Sequence, residues 1–475
     1  MQVSEYEIIA DTCVCQIFHL SLCVQKQQRA KIWHMAAKVQ IKNEKYMPYG
    51  GIYFVIGEFL RQMAPVIDGY LGLRSTLIGY QYSEISLAML CNFCCGGDRT
   101  EDIYRVHDMI EQKPGLRICS PDTVLRAMTE LSVEDTVYTA PSGKEYRFNT
   151  AERLNGLLVY AAVKSGMLNP GEQYDFDFDH EFLASETWDA LPTYKGHDGY
   201  SPACAVLTSL SENLDVIAGI ENRDGNAAVK FHQEDTLVRI LLNIIEQGIR
   251  IRYARVDCGS YSKEVVRLLL QHSQRIFVRA EMTRTLREKL QNPRRQWRKV
   301  EMNNQSIEVL SLPFDGLGGE TEGCRLVIQR QHKGAGAQLD LFEEGGDDVY
   351  VYRAILTNEW DMTEEEVVHF YNQRGAKEKV FDQMDNDFGW HYLPKGLLRE
   401  NTVFLLLTAM LRNFFRLLLR NDALRAFGIW CTTRMKAFTA KVVTVVARWT
   451  KGGRRDILTL YTDNKAFEAL YAGYT

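Results

Sequence analysis

The spacing of apolar residues changes from a helical to a strand-like period along the chain. From Tyr53 to about Gly166, apolar residues recur at three- and four-residue steps, which predicts helices. Ser120 before Pro121 is typical of a helix start with proline at the first helical position. The sequence therefore predicts a mostly helical segment over this part of the chain.

At Tyr174 the period becomes two. Aromatic residues alternate with carboxylates through Asp179 in the sequence YDFDFD. Because successive side chains of a strand point to opposite faces, this segment predicts a strand with one aromatic and one carboxylate face. Segments 200–210 and 214–226 indicate two further strands.

The elements that follow predict a sheet covered by helices. Residues 231–248 indicate an amphipathic helix that ends at a glycine, and residues 249–260, 262–273 and 275–281 indicate a strand, a helix and a strand. This order predicts an α/β (α+β) fold with a mixed sheet and flanking helices. Residues 282–362 then indicate a β-rich insertion, with a Gly-, Asp- and Glu-rich flexible connector at 334–348.

The sequence after the insertion again indicates helices. Thr363 and Glu366 form a capping box, which predicts a helix that runs through residue 384. From Leu398 the chain is expected to be helical and basic.

The composition is that of a soluble globular protein of about three domain-sized units. Of 475 residues, 46% are hydrophobic and 25% are charged, which excludes collagen-like, disordered and disulfide-scaffold proteins. The apolar run 403–411 is too short for a membrane span, which needs about 20 residues. Eleven cysteines without regular spacing fit a reducing cytoplasm, and Cys91 and Cys94 lack a second pair at a zinc-binding distance.

The first 34 residues differ from the rest of the chain. No basic segment precedes the apolar stretch Val14–Val24, and no small-residue cleavage site follows it, so a secretory signal is not expected. We interpret residues 1–34 as a mis-assigned start or a disordered leader.

Positive charge is concentrated in two stretches although the net charge is −5. Residues 284–299 contain seven Lys or Arg residues and one acid, and residues 412–455 contain eleven and one. Either stretch could contact phosphates, or it could be a solvated helix face. The candidate phosphate contacts of the second stretch are Arg434, Arg448, Lys451, Arg454 and Arg455.

Trp297 lies within the first basic stretch. Its neighbours Arg294, Arg295, Arg298 and Lys299 are all cationic. An aromatic ring beside phosphate-binding cations can hold an unstacked base. The alternative is that Trp297 packs into a small core of the insertion.

Three carboxylates occupy positions that suit metal binding. Asp179 ends the first predicted strand of the sheet, Asp257 ends the fourth, and Glu378 lies on the helix after the insertion. Oxygen ligands of this kind suit two Mg²⁺ ions about 3.5–4 Å apart, which promote phosphodiester cleavage. Taken singly, each carboxylate could equally be a turn or surface residue.

A tyrosine and an arginine accompany Glu378. On a continuous helix, Tyr371, Arg374 and Glu378 share one face within about 60°. An arginine beside a metal-binding glutamate can hold a phosphate with two hydrogen bonds, and a tyrosine can cap the phosphate or stack.

These residues resemble the DDE transposases of bacterial insertion sequences. Asp179, Asp257 and Glu378, with Y-x-x-R-x-x-x-E at 371–378, resemble the cut-and-paste group with a Y-R-E-K signature, insertion-sequence families 4 and 1380. GYSP at 199–202, RVDCGS at 255–260, ILTN at 355–358 and YNQRG at 371–375 fit family 1380.

The resemblance implies a fold, a reaction and partners. It implies an RNase H-like core interrupted by a β-rich insertion, two Mg²⁺ ions that Mn²⁺ could replace, and cleavage and joining of DNA. The implied partners are double-stranded DNA, as terminal inverted repeats and target, and a second copy of the chain in a homodimer. A bacterial cytoplasmic protein that associates with the nucleoid when bound, with no membrane contact, is expected.

The predicted organisation then has six segments. They are the leader (1–34), a helical DNA-binding domain (35–170), the first part of the catalytic core (171–281), the β-rich insertion (282–362), the second part of the core (363–397) and a helical basic C-terminal region (398–475).

Two features depart from the family pattern. The signature lysine is expected at position 385, which is Asp385, and Asp179 is followed by His180 rather than by the family's D-x-T. Asp177 therefore stays an alternative to Asp179 as the first carboxylate. The departures also leave open a catalytically inactive DNA-binding relic or regulator, and an RNase H-like nuclease without strand transfer.

Overall fold

The computed structural model describes residues 44–472 except 75–78, 194, 210–213, 293, 303–304, 315, 318–320, 322 and 334–349, and it describes only the backbone of 376–378. Met47–Thr475 form one compact unit. The predicted leader and the predicted connector at 334–348 lie outside the described residues.

Helices dominate both ends of this unit, as the periodicity predicts. The described α-helices are α1 (Ile52–Gln62), α2 (Ala64–Leu71), α3 (Tyr82–Cys94), α4 (Ile103–Ile110), α5 (Pro121–Leu131), α6 (Glu152–Lys164), α7 (Gln233–Glu246), α8 (Lys263–His272), α9 (Arg284–Leu290), α10 (Glu364–Asn372), α11 (Glu378–Asp387), α12 (Leu398–Leu418), α13 (Met435–Phe438) and α14 (Ala466–Leu470).

The strands lie between and beyond these helices. They are β1 (Thr136–Thr139), β2 (Glu145–Asn149), β3 (Gln173–His180), β4 (Leu183–Ala184), β5 (Leu191–Pro192), β6 (Asp198–Tyr200), β7 (Ala203–Ser209), β8 (Leu214–Arg223), β9 (Arg250–Val256), β10 (Ser273–Ala280), β11 (Arg298–Met302), β12 (Gln305–Pro313), β13 (Arg325–His332), β14 (Tyr350–Thr357), β15 (Val446–Gly452) and β16 (Arg455–Tyr461).

Eleven strands form one mixed sheet in the order β1-β2-β8-β7-β3-β9-β10-β14-β13-β12-β11. The pairs β3–β9 and β9–β10 are parallel, whereas β3–β7, β7–β8 and β10–β14 are antiparallel. The predicted mixed sheet with flanking helices and a β-rich insertion is confirmed. The insertion strands extend the same sheet, because β14 pairs with β10.

The two faces of β3 differ as the alternation predicts. Phe176 and Phe178 are fully buried in a core with α7 and α8. The carboxylate face is not solvated, because β3 is a central strand and Asp175 and Asp177 are only 1% and 2% exposed.

A second core joins the two ends of the chain. Apolar residues of α1, α3 and α5 share it with those of α12 and with Val206 and Ile217 of the sheet. Asn155 of α6 bonds the backbone of Ile220 at 2.9 and 2.7 Å, and Asn413 of α12 bonds that of Ile217 at 2.9 and 2.8 Å. Two asparagine side chains thus satisfy backbone groups of β8 beyond the short pairing with β2.

Helix α12 also has the length and apolar composition of a membrane span. It is the one such helix among the described residues, and 94% of its most apolar window is buried within the protein. Buried core helices of soluble proteins have the same properties.

Two hairpins depart from the predicted helical ends. β1 and β2 pair antiparallel within the segment expected to be helical, and β2 joins the edge of β8. β15 and β16 form a hairpin within the C-terminal region expected to be helical. In both hairpins a short strand is exposed along much of its length, so the apolar alternation that would distinguish it from a helix is weak.

Candidate active site

Asp179 and Asp257, two of the predicted metal ligands, lie where the neighbouring strands β3 and β9 end, on the same side of the sheet. β3 and β9 are parallel, and Phe178 is paired with Val256. Asp179 is the next residue on β3, and Asp257 follows the end of β9. The two side chains therefore leave neighbouring strands at the same level.

Each carboxylate of β3 is paired with an arginine. Arg252 donates to Asp175 at 2.8 Å, and Arg255 donates to both oxygens of Asp177 at 2.7 and 2.9 Å. Arg252 and Arg255 are three residues apart, which on a regular strand places side chains on opposite faces. A register shift between Tyr174 and Phe176 brings both arginines to the carboxylate face.

Asp177 is thereby held away from the edge. Arg255 also donates to the backbone oxygen of Phe370 in α10 at 2.9 Å, and its guanidinium lies 4.5 Å from the Phe370 ring centroid. Asp177 is thus committed to a buried ion pair beneath α10.

Asp179 instead contacts Arg374 and lies within electrostatic range of Asp257. Arg374 Nη1 donates to Asp179 Oδ2 at 2.5 Å, and the His180 backbone N–H donates to Oδ1 at 3.0 Å. Burial raises the pKa of Asp179 most strongly, Arg374 lowers it and the charge of Asp257 raises it, so that the net pKa is about 6. Burial lowers the pKa of Arg374, but the nearby Asp179, Tyr371 and Asp257 raise it, so that the net pKa lies above the usual value.

Tyr371 and Arg374 do not lie on a continuous helix with Glu378. α10 ends at Asn372, a 3₁₀ turn spans Gln373–Lys377, and α11 begins at Glu378. The predicted uninterrupted helix, and the 60° face derived from it, are therefore wrong. Gly375 within the turn has low helix propensity, which favours such a break.

Tyr371 supports the end of β9. Its hydroxyl donates to the backbone oxygen of Val256 at 3.3 Å, and burial raises its pKa to about 12. The turn after α10 then places Arg374 against Asp179. The structure thus brings Asp179, Asp257, Tyr371 and Arg374 together, and the backbone of Glu378 follows four residues after Arg374.

The loop after β9 holds the Asp257 carboxylate. Asp257 Oδ1 accepts from the backbone N–H of Ser260 at 3.1 Å and from its hydroxyl at 3.2 Å. A Cβ on Gly259 would lie 3.2 and 3.3 Å from the two carboxylate oxygens and 3.0 Å from Val229. Glycine at 259 therefore leaves room for the carboxylate.

The chemistry of this edge suits a divalent metal ion. Carboxylate oxygens are the ligands Mg²⁺ prefers, and the half-buried Asp179 and Asp257 repel each other, which a cation relieves. Among the described side chains, no three His, Cys, Asp or Glu residues are grouped as metal ligands. The side chain of Glu378, the predicted third ligand, is not among those described.

The basic stretch of the insertion is partly engaged within the protein. Arg298 pairs with Glu364 at 3.0 Å, and Arg294 is exposed. Arg295 is half-buried, and its Nε is buried without a hydrogen-bond partner. Arg298 is therefore less available for DNA than the sequence indicates.

Trp297 is half-buried at the start of β11. The guanidinium of Arg330 lies 4.1 Å from its ring centroid, and the Tyr352 ring lies 6.1 Å away. One face of the ring is thus already covered by a cation. This packing favours the alternative in which the Trp297 ring packs into the core of the insertion and does not stack on a base.

The C-terminal basic residues separate into two groups. Arg448 and Arg455 lie on β15 and β16, and exposed Arg454 lies at the turn between them. Arg434 instead bonds Asp382 and, at 2.7 Å, Asp387. Arg434 therefore stabilises α11 within the protein, which its sequence context did not indicate.

The two departures from the family pattern also have a structural setting. Burial, with a contribution from Arg223, lowers the pKa of His180 well below its usual value, so the ring is neutral. Its Nε2 is buried and finds no hydrogen-bond partner in the part of the chain that the structure describes. Asp385 lies 3.7 Å from His391, and burial raises its pKa.

Comparison with known proteins bears on this edge of the sheet. Residues 184–414 match a transposase DDE domain. The matched segment includes Asp257, Arg374 and Glu378 and begins five residues after Asp179. It supports the prediction of a DDE transposase, whereas family 1380 and the Y-R-E-K group stay predictions.

One solved structure and the curated sequences complete the comparison. A piggyBac transposase synaptic complex with hairpin DNA is similar at a TM-score of 0.39 and 13% identity, covering 84% of this chain and 80% of that chain. No curated protein sequence is significantly similar to the chain.

Proposed function

We propose that this protein is a DNA transposase that cleaves the ends of an insertion sequence and joins them to target DNA. The observation that carries the proposal is the convergence of Asp179, Asp257 and Arg374 at one edge of the mixed sheet, beside a segment that matches a transposase DDE domain. The strand order β8-β7-β3-β9-β10, with β3–β9 and β9–β10 parallel, supports the RNase H-like core that the family resemblance implies.

In this proposal Asp179, Asp257 and Glu378 hold two Mg²⁺ ions, which Mn²⁺ could replace. The bound ions would activate the attacking oxygen and stabilise the leaving oxygen in phosphodiester cleavage. We assign the first carboxylate to Asp179, because Asp177 is bound at both oxygens by Arg255.

The remaining residues have binding roles. Arg374 exchanges its contact with Asp179 for a phosphate of the DNA, and Tyr371 fixes the turn that carries it. Arg454 and Arg455 at the β15–β16 turn, with Arg294 and Arg448, contact phosphates away from the site. The expected partners are inverted-repeat and target DNA and a second copy of the chain, in a bacterial cytoplasm.

The test is strand transfer with the wild-type protein and with Asp257→Asn. With Mg²⁺ and a target plasmid, the wild type should cleave uncut DNA from the flanks of the gene and should join the pre-cut form of the same DNA to the plasmid. Asp257→Asn should abolish cleavage and joining while DNA binding is kept or tightened, because one negative charge near the phosphates is lost.

The other outcomes identify the alternatives. Cleavage without joining would indicate a nuclease, and DNA binding without cleavage by the wild type would indicate an inactive relic or regulator. Loss of DNA binding together with cleavage in Asp257→Asn would indicate a structural role for Asp257.

A further inference from the structure

A buried chain of hydrogen bonds leads from helix α7 to the Asp257 carboxylate. Gln233 Nε2 donates to Ser260 Oγ at 2.8 Å, and Ser260 Oγ donates to Asp257 Oδ1 at 3.2 Å. Gln233 and Ser260 are both 0% exposed. Solvent therefore cannot reach the bond between Gln233 and Ser260.

The direction of the bonds follows from the number of hydrogens. The Ser260 hydroxyl has one hydrogen, and an ionised carboxylate can only accept a hydrogen bond. The hydroxyl therefore donates to Asp257 and must accept from the amide group of Gln233. Gln233 thereby fixes the rotation of the Ser260 hydroxyl.

Gln233 occupies this position at a cost. Its other side-chain polar atom, Oε1, is buried and has no hydrogen-bond partner among the described residues. An unpaired buried amide oxygen destabilises a fold, and an apolar side chain of similar size would avoid that penalty. The N–H group of Gln233 is thus the part of the side chain that the structure uses.

The chain of hydrogen bonds from Gln233 ends at one carboxylate oxygen of Asp257. The Ser260 backbone N–H and hydroxyl both bond to Oδ1, which fixes the plane of the carboxylate. We propose that Ser260 and Gln233 are positioning residues that orient Asp257 so that its Oδ2 is presented to the divalent metal ion. This inference rests on the proposed function.

The helix start that places Gln233 is itself constrained. His232 has a left-handed backbone with φ of 50°, and its ring lies 2.7 Å from Asp235. Arg223 donates to the backbone oxygens of Val229 and Phe231 at 3.4 and 3.3 Å. These contacts fix the loop between β8 and α7. They therefore also fix the position of Gln233 at the start of α7.

The test measures Mn²⁺ binding to the full-length protein by isothermal titration calorimetry, beside DNA cleavage. Ser260→Ala and Gln233→Met should each weaken Mn²⁺ binding by about tenfold, as the loss of an orienting partner does in other metal sites. Cleavage should fall in kcat while KM for DNA is unchanged. Ser260→Thr, which keeps the hydroxyl, should recover Mn²⁺ affinity.

Ser262→Ala is the matched control. Ser262 lies in the same loop, but its hydroxyl accepts from the Val265 backbone at 3.2 Å and caps α8. This variant should lower the melting temperature and leave Mn²⁺ affinity within twofold. Equal losses of Mn²⁺ affinity in Ser262→Ala and Ser260→Ala would show that these hydrogen bonds only stabilise the loop. That result would overturn the inference.

The remaining outcomes separate the two proposals. Wild-type Mn²⁺ affinity in folded Ser260→Ala and Gln233→Met would overturn the positioning role and leave the proposed function intact. Absence of Mn²⁺ binding and cleavage in the wild type would overturn both.

Discussion

Asp179 and Arg374 are 195 residues apart in sequence, and their side chains meet at 2.5 Å. The contact joins the central strand of the sheet to the turn between α10 and α11. Since Asp179 is a proposed metal ligand and Arg374 a proposed phosphate ligand, the proposed function requires this ion pair of the free protein to separate when DNA and metal bind.

Replacement of Arg374 should change the pH dependence of cleavage. The positive charge of Arg374 lowers the pKa of Asp179, so Arg374→Ala should raise that pKa above about 6. Less Asp179 is then ionised near neutral pH, and the acidic limb of the pH–activity profile should move to higher pH. We also expect activity at pH 8 to fall at least tenfold from the lost phosphate contact.

Arg374→Lys is the control for charge. It keeps the positive charge but cannot bind with two parallel hydrogen bonds, so the acidic limb should move little while activity still falls. An identical pH profile in wild type and Arg374→Ala would contradict the electrostatic role of the ion pair.

Neutralising Asp179 should stabilise the fold at alkaline pH. Its pKa is about 6 in the folded protein and about 3.8 when unfolded, so ionisation disfavours the folded state as the pH rises from 4 to 6. Asp179→Asn should therefore raise the melting temperature by about 1–2 °C at pH 8. At about pH 3.5, where Asp179 is largely protonated in both the folded and the unfolded state, the difference should largely disappear, and at pH 5 about half of it should remain.

Asp177→Asn should have the opposite effect. It leaves the buried guanidinium of Arg255 without its carboxylate, which typically costs about 3–5 kcal/mol. Thermal melts of both variants from about pH 3.5 to pH 8 make the comparison. Destabilisation of both variants at every pH would show that Asp179, like Asp177, mainly stabilises the fold.

The β15–β16 turn should contribute to DNA affinity through phosphates. Arg454→Gln with Arg455→Gln should weaken binding to all DNA sequences alike and reduce the salt slope by about two units, one for each cation. The measurement is DNA affinity from 50 to 300 mM salt. Arg434→Gln is the contrast, because Arg434 is bound by Asp382 and Asp387 and its loss should lower stability without changing the slope.

Trp297 should act mainly as a packing residue. Its ring contacts Arg330 and Tyr352, so Trp297→Ala should lower stability by about 2 kcal/mol and the melting temperature by several degrees. Trp188→Ala, at a ring that is 86% exposed, should leave the melting temperature unchanged. A stable Trp297→Ala variant that nicks DNA but stalls afterwards would restore the base-stacking role.

The central strand and its carboxylates could be predicted because their pattern is local. Strict alternation over YDFDFD identifies β3 and its two faces, and the strands and helices from β7 to β10 follow from period alone. Asp179 and Asp257 could be placed at one edge because they end predicted strands.

The remaining contacts depend on strand register and on the packing of distant segments, which the spacing of apolar residues does not encode. The register shift beside Phe176 brings Arg252 and Arg255 to one face, against their odd spacing. The break after Asn372 was hidden because helical periodicity continues through it. Ser260 and Gln233 are 27 residues apart and are joined only by the packing of α7 against the loop after β9.

Helix α12 has a consequence for the synthesis of this protein. Until residue 413 has left the ribosome, Ile217 lacks the asparagine that bonds its backbone, and the β8 edge beyond β2 is open to other strands. An incomplete chain that ends before α12 already contains Asp179 and Asp257. It also exposes backbone groups of β8 that can pair with strands of other chains. Shortened translation products should therefore aggregate or be degraded rather than compete with the complete protein for DNA ends.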